Sequence, residues 1–296
     1  MKVKASEIAT FLGRQLVGPD FEINKPSSAF APDSNSVVFA KKYSPDLLAQ
    51  LNCRSDILVI AGQEFQGKIT VSHIISDRPR LDFARVLQRF FSPERPTGLA
   101  PTAVVAPTAK IGREVYIGNF TVIEDDVEIG DGTIIRDHVV IRKKCVIGKR
   151  CLIKSNTVIG EEGFGFEYDE NGVPFRIPHI GRVVIGDNVE IGSLNVIARG
   201  TLEDTIIENS VKTDDHVFIA HNVRIGENSV VIAGAEISGS VRVGKNVWIA
   251  PQATIINKVE VGDYALVGIG AVVTKSVEPN MIVAGNPARV LRTRNT

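Results

Sequence analysis

The chain has 296 residues with Lys+Arg 34 against Asp+Glu 34, long enough for two domains with real cores and without net charge to draw it to DNA or anionic lipid. A nucleic-acid partner is therefore not expected, and no apolar run approaches the ~20 residues needed to span a bilayer. The opening MKVKASEIATFLGRQ carries charge where a leader peptide needs its apolar core, and Cys53, Cys145 and Cys151 form neither a disulfide framework nor a metal-type spacing, so the reading is a cytoplasmic protein with reduced thiols.

Residues 1–91 read as a small α/β domain. Ala5 to Leu12 has helical spacing of its apolar residues, three β-rich runs follow (Ser36 to Ala40, Asp56 to Ile60, Lys68 to Ile75), and Leu81 to Phe91 returns to helical spacing. Residues 92–101, opening with Ser92-Pro93-Glu94-Arg95-Pro96-Thr97-Gly98, read as a linker.

From Val105 the aliphatic residues recur every six positions through Ile111, Ile117 and onward to Ile159. The period resumes at Ile185, Ile191 and Ile197, slips by four, and runs from Ile207 to Val273 with Thr213 as its one non-aliphatic member. A period of six suits a parallel β-helix in which each hexapeptide supplies one short strand and one corner, and three make a coil. Four residues after each aliphatic the side chain is small or β-branched, as a narrow interior requires, which places Cys145 and Cys151 in the core. The expected fold is mainly β: about eight coils over residues 102–278, roughly 40 Å long, with a loop ejected at 160–184 and a cap and tail at 279–296. Ejected loops are more often functional than decorative, and this one carries Gly163-Phe164-Gly165-Phe166.

Such repeats resemble the hexapeptide-repeat acyltransferases, which implies a left-handed β-helix and a homotrimer with the acyl donor bound between subunits; general crossover rules alone would suggest the right-handed form. Three stretches, VKASEIATFLGRQLVG, GFGFEYDENGVPFRIPHIGRVVIGDNVEIG and DDHVFIAHNVRIGENSVVIAG, resemble in collinear order the UDP-3-O-(3-hydroxyacyl)glucosamine N-acyltransferases of lipid A synthesis. In that family the N-terminal domain holds the uracil of the sugar nucleotide and the histidine of IAHNV, here His221, is the general base. Around Phe39 and Tyr43 this chain is shorter than the family and lacks its asparagine, and Lys258 stands where the family has a second histidine. Its ending, Val283-Ala284-Gly285-Asn286-Pro287-Ala288-Arg289, resembles instead acetyl-CoA-dependent enzymes that acetylate nucleotide-linked amino sugars.

Acyl transfer from a thioester to an amine needs a base, an oxyanion donor and positioning of both substrates. His221 follows inward Ile219 by two residues, so its ring should project outward, and a histidine titrates near neutrality. The 18-residue coil stacks Gly239 and Asn257 on it in one column; Gly239 is either the oxyanion donor of the family or a plain corner glycine. Asp214, seven residues before His221, either orients its ring or is a surface acid. Phe39, Tyr43, Phe164, Phe166, Asn222, Asn257 and Lys258 are the candidate substrate contacts, and Gly285, Asn286, Pro287 and Arg289 the candidate acyl-donor contacts. His138 and His216 occupy corner slots that any polar residue fills, His73 lies in the first domain and His179 in the loop.

The reading that follows is a homotrimeric N-acyltransferase acting on a nucleotide-linked amino sugar for surface polysaccharide, with acyl-CoA, acetyl-CoA foremost, as co-substrate and no metal or permanently bound cofactor. Alternatives are the lipid A enzyme using acyl carrier protein, a sugar O-acetyltransferase, and a non-catalytic β-helix that binds sugar nucleotides.

Overall fold

The structure, a computed structural model, describes residues 2–294, so Met1 and the last two residues of the tail lie outside it. The chain divides into two compact units, Met1–Arg95 and Pro96–Thr296.

In the first unit a four-stranded parallel sheet runs in the order Lys25–Pro26, Ser36–Ala40, Ile57–Gly62, His73–Ser76. Successive residues of the second strand face opposite sides: Val38 and Ala40 join one apolar cluster, Val37 and Phe39 the other. Ala5–Leu12 is a helix, closed by Gly13 in the left-handed conformation. Pro79–Val86 is a second, continued by one wide turn at Leu87–Phe91. A helix that periodicity missed spans Pro45–Asn52. Its signal was local, because Ser44 accepts a hydrogen bond from the Leu47 amide and Pro45 occupies the first turn.

The second unit is a left-handed parallel β-helix. Its three sheets hold 11, 9 and 8 strands, so eight coils close fully and a ninth has two sides. The count exceeds the expected start at residue 102, because the first strand is Gly98–Leu99, inside the stretch read as linker. It pairs with Tyr116–Ile117 in register 18 residues on. The inward aliphatics form one continuous core from Val115 to Val283, and Cys145 and Cys151 are 0% exposed within it. Thr213 breaks the aliphatic rule with a polar partner, accepting at 3.1 Å from the Gly192 amide. At the fourth slot of the hexapeptides the backbone turns left-handed, for example Asp126 (φ 57), His138 (φ 59), His216 (φ 59) and Asn222 (φ 60). No helix among the described residues is long and apolar enough to cross a membrane.

The coil closed last in the tail is an antiparallel pair, Met281–Ala284 with Arg289–Thr293. The loop after Ile159 forms a small hairpin, Phe166–Tyr168 against Pro174–Arg176.

Candidate active site

His221 sits at the corner between strands Phe218–Ile219 and Arg224–Ile225, half-buried, held outward because Ile219 and Val223 on either side are fully buried. The four-residue slip in the repeat explains its surroundings. The four extra residues lie within the stretch Arg199 to Asp204, and Gly200 makes its tight turn possible because a side chain there would run into the Glu203 carbonyl.

That extra segment grips Asn222. The Thr201 amide donates to Asn222 Oδ1 at 3.1 Å, as does the Thr201 hydroxyl, while Asn222 Nδ2 donates to the Glu203 carbonyl at 3.3 Å. A backbone amide can only donate and a carbonyl can only accept, so the orientation of the Asn222 side chain is determined. Oδ1 also lies 2.9 Å from His221 Nδ1. An oxygen that takes hydrogen bonds there requires the proton on Nδ1, which leaves Nε2 of His221 as the basic lone pair. Asn222, read from the sequence as a candidate substrate contact, therefore orients the histidine. Asp214, the expected orienting carboxylate, is exposed at the preceding corner, and the group at Nδ1 is Asn222 instead.

Gly239 stacks on His221 as the 18-residue step predicts: the Ser240 amide donates to the His221 carbonyl at 2.9 Å and the Lys258 amide to the Gly239 carbonyl at 3.0 Å. Gly239 is not in the left-handed region, so its glycine is not explained by corner geometry. It is explained by space, because a Cβ there would lie 2.8 Å from both Cε1 and Nε2 of His221. In this same slot the amides of Arg113, Asn119, Lys149 and Lys245 each donate to an aspartate on the next coil. The Gly239 amide has no such acceptor among the described residues, so it is free to donate to a ligand beside Nε2.

The loop closes this corner on one side. Gly163 sits between two imidazoles, since a Cβ there would lie 2.8 Å from His179 Nε2 and 3.1 Å from His221 Cβ. His179, passed over in the sequence because it lay in a loop, is only 3% exposed and packs edge-on against His221, ring centroids 5.1 Å apart. Burial, then the neighbouring His221, pushes its pKa below the ordinary histidine value. Phe164 is 86% exposed and leans on Phe166 at 4.8 Å, with the Arg176 guanidinium 4.7 Å over the Phe166 ring. At the base of the loop Arg142 joins Glu124 and Glu161.

The remaining candidates are not all brought together. Asn257 continues the His221 column and Lys258 that of Asn222, in the left-handed corner position (φ 64). The turn Gly285 to Ala288 is tied to Val272, three strands along the ladder from Phe218 or about 14 Å at strand spacing. Among the described residues the Arg289 side chain hydrogen-bonds only to its own neighbour's carbonyl, while Arg294 caps the carbonyls of Asn246, Tyr264 and Ala265. Within the first unit, Phe39 packs on Phe83 and Tyr43 on Phe65, on opposite faces of the sheet, so they form no single aromatic clamp. That unit has instead a cavity of about 660 Å³ at the carboxyl ends of its parallel strands, lined by Lys41, Gly62, Gln63, Arg78 and Arg80 among others. Sequence reasoning missed it because its residues come from three separate strand ends.

Comparisons with known proteins agree on the repeat. Residues 108–143 and 126–161 match the family described as bacterial transferase hexapeptide (six repeats). UDP-3-O-acylglucosamine N-acyltransferase of Rickettsia akari (strain Hartford) is 54% identical over 130 residues, which is 44% of this chain and 37% of that protein. The protein of that name from Coxiella burnetii (strain RSA 493 / Nine Mile phase I) is 55% identical over 86 residues, 29% of this chain and 25% of the other. The chain thus aligns with between a quarter and somewhat over a third of the length of these curated relatives. Among solved structures, UDP-N-acetylglucosamine acyltransferase of Francisella novicida is 28% identical with a TM-score of 0.61, covering 66% of this chain and 70% of that one. UDP-N-acetylglucosamine O-acyltransferase of Moraxella catarrhalis RH4 is 26% identical with a TM-score of 0.62, covering 67% and 75%. The chain is a left-handed β-helix protein that carries bacterial transferase hexapeptide repeats over residues 108–161 and is similar over part of its length to UDP-3-O-acylglucosamine N-acyltransferases.

Proposed function

We propose that this protein is an N-acyltransferase that moves an acyl group from a thioester to the amine of a UDP-3-O-acylglucosamine-type sugar nucleotide. The observation that carries the reading is the juxtaposition of a base and a donor: His221 with its lone pair on Nε2, and the uncapped amide of Gly239 beside it. The amine nitrogen attacks the thioester carbonyl and gives its proton to His221 Nε2. The Gly239 amide donates to the oxygen that becomes negative, the C–S bond breaks, and His221 returns the proton to the thiolate.

Three observations bear on the acceptor and donor. The names of the curated relatives favour the lipid A alternative over the short acyl-CoA reading. A CoA phosphate site at the arginines of the tail has little support, because Arg294 is spent on backbone carbonyls. In the first unit, Lys41, Arg78 and Arg80 around the cavity suit the diphosphate of the nucleotide. The same reading includes a homotrimer whose neighbouring copy lines the open side of the His221 corner.

The test presents the purified protein with a hydroxyacyl carrier protein and, separately, acetyl-CoA, each with UDP-3-O-acylglucosamine, and reads products by mass spectrometry. Transfer from the carrier protein is expected and should fall at least ~10²-fold in His221→Ala. Transfer from acetyl-CoA alone would restore the short-chain reading, and a His221→Ala enzyme within a few-fold of wild type would remove His221 as base.

A further inference from the structure

His179 Nε2 is a buried side-chain atom that finds no hydrogen-bond partner among the described residues. Nδ1 of the same ring lies 3.0 Å from the Ile177 carbonyl, which can only accept, so the proton is on Nδ1 and Nε2 is a bare lone pair. Leaving an acceptor unpaired in the interior is costly, and such an atom needs an explanation. Packing alone would be served by an apolar ring. The loop is shaped to this imidazole: Gly163 and Gly165 both approach so closely that a Cβ on either would lie 2.8 Å from its Nε2 or Cε1.

The ring packed against it is His221, which in the proposed reaction becomes a cation for part of each turnover. A neutral imidazole packed against that ring brings no proton of its own to oppose the charge, and its unpaired acceptor favours positive charge nearby.

We propose that His179 is a positioning residue whose neutral ring and unpaired Nε2 stabilise the protonated form of His221 that arises as the amine gives up its proton. The inference rests on the function proposed above. His179 takes no proton itself: the proton passes from the amine nitrogen to His221 Nε2 and then to the thiolate sulfur. Burial keeps His179 neutral, reinforced by the charge of His221 whenever it forms. The other charged groups facing His179 are Glu162 and Arg176 of the loop, which oppose each other's effect and pair at 3.6 Å.

The experiment is a pH titration of the ¹⁵N-histidine resonances of the full-length protein, wild type, His179→Phe and His179→Gln, without substrate. Phenylalanine keeps a packed ring and removes the lone pair; glutamine restores an acceptor. Wild-type His179 is expected to stay neutral with its proton on Nδ1 while His221 titrates, and its resonances should shift at the His221 midpoint. In His179→Phe the His221 midpoint and the acid limb of kcat/KM should move together to lower pH, and kcat should drop about tenfold at unchanged KM. His179→Gln should recover most of both. A His221 midpoint unmoved in His179→Phe, or a His179 that charges before His221, overturns the inference. If the phenylalanine variant does not fold, the wild-type titration decides alone, since uncoupled midpoints overturn it equally. Because the titration needs no substrate, coupling without transfer would sink the proposed function only, and transfer without coupling would sink this inference only.

Discussion

Asn222 Oδ1 lies 2.9 Å from His221 Nδ1, and the same oxygen is held from behind by the Thr201 amide at 3.1 Å. A neutral amide thus takes the place that a carboxylate occupies in many histidine-based sites, setting the tautomer without adding charge. Removing it as Asn222→Ala should lower kcat about 10- to 100-fold with a small change in KM, because Nε2 is no longer held as the acceptor. Stability should fall as well, since position 222 has φ 60, where asparagine is tolerated and alanine is strained. Steady-state kinetics beside a thermal melt separate the two effects; a change in melting alone would count against the orienting role.

Gly239→Ala keeps the amide donor but puts a methyl where the His221 ring now lies, 2.8 Å from Nε2. The displaced atoms are the far end of a half-buried side chain that can swing away, so the melting temperature should hardly move. Activity should fall about 10²-fold, as for loss of a well-placed base. Comparable activity in the variant would show that the His221–Gly239 stacking is incidental.

The thiols should differ sharply in reactivity. Cys53 is exposed, whereas burial pushes the Cys145 thiol up to about 11 and raises Cys151 as well. In the native protein at pH 8 a thiol reagent should modify one cysteine quickly, and unfolding should release two more. Rapid native labelling at all three sites would mean that the coils open easily.

Arg142 provides a pH test of the loop base. Its side-chain hydrogen bond holds the Glu161 carboxyl below the ordinary glutamate value. A carboxylate whose folded pKa is depressed stabilises the fold above its unfolded pKa, and the contribution is lost as pH falls through the folded value. Arg142→Ala should therefore destabilise the protein near pH 7, and the difference from wild type should shrink toward pH 3. A difference that stays constant between those pH values would assign the effect to packing of the arginine stem.

The coils were legible residue by residue because a β-helix writes its period directly: each inward slot sees the same narrow interior, so Ile117, Ile135 and Ile153 repeat at the spacing at which they pair. The same regularity located His221 and Gly239 in one column. It could not say what holds the ring. Asp214 was the candidate acid seven residues back along the chain, but it is exposed at an earlier corner, and Asn222 acts because the slipped segment at Thr201 and Glu203 folds back on it.

His179 was invisible for a related reason. A loop residue has no periodic address, and its burial against His221 exists only once Gly163 and Gly165 let the chain lie flat over both rings. By itself the sequence determined the β-helix, the outward slot of His221 and the column it shares with Gly239, since these follow from local repetition and strand pairing. Only the tertiary structure decided which imidazole nitrogen is basic, which neighbours orient it and which second histidine shares its pocket, since those depend on contacts between segments that share no period.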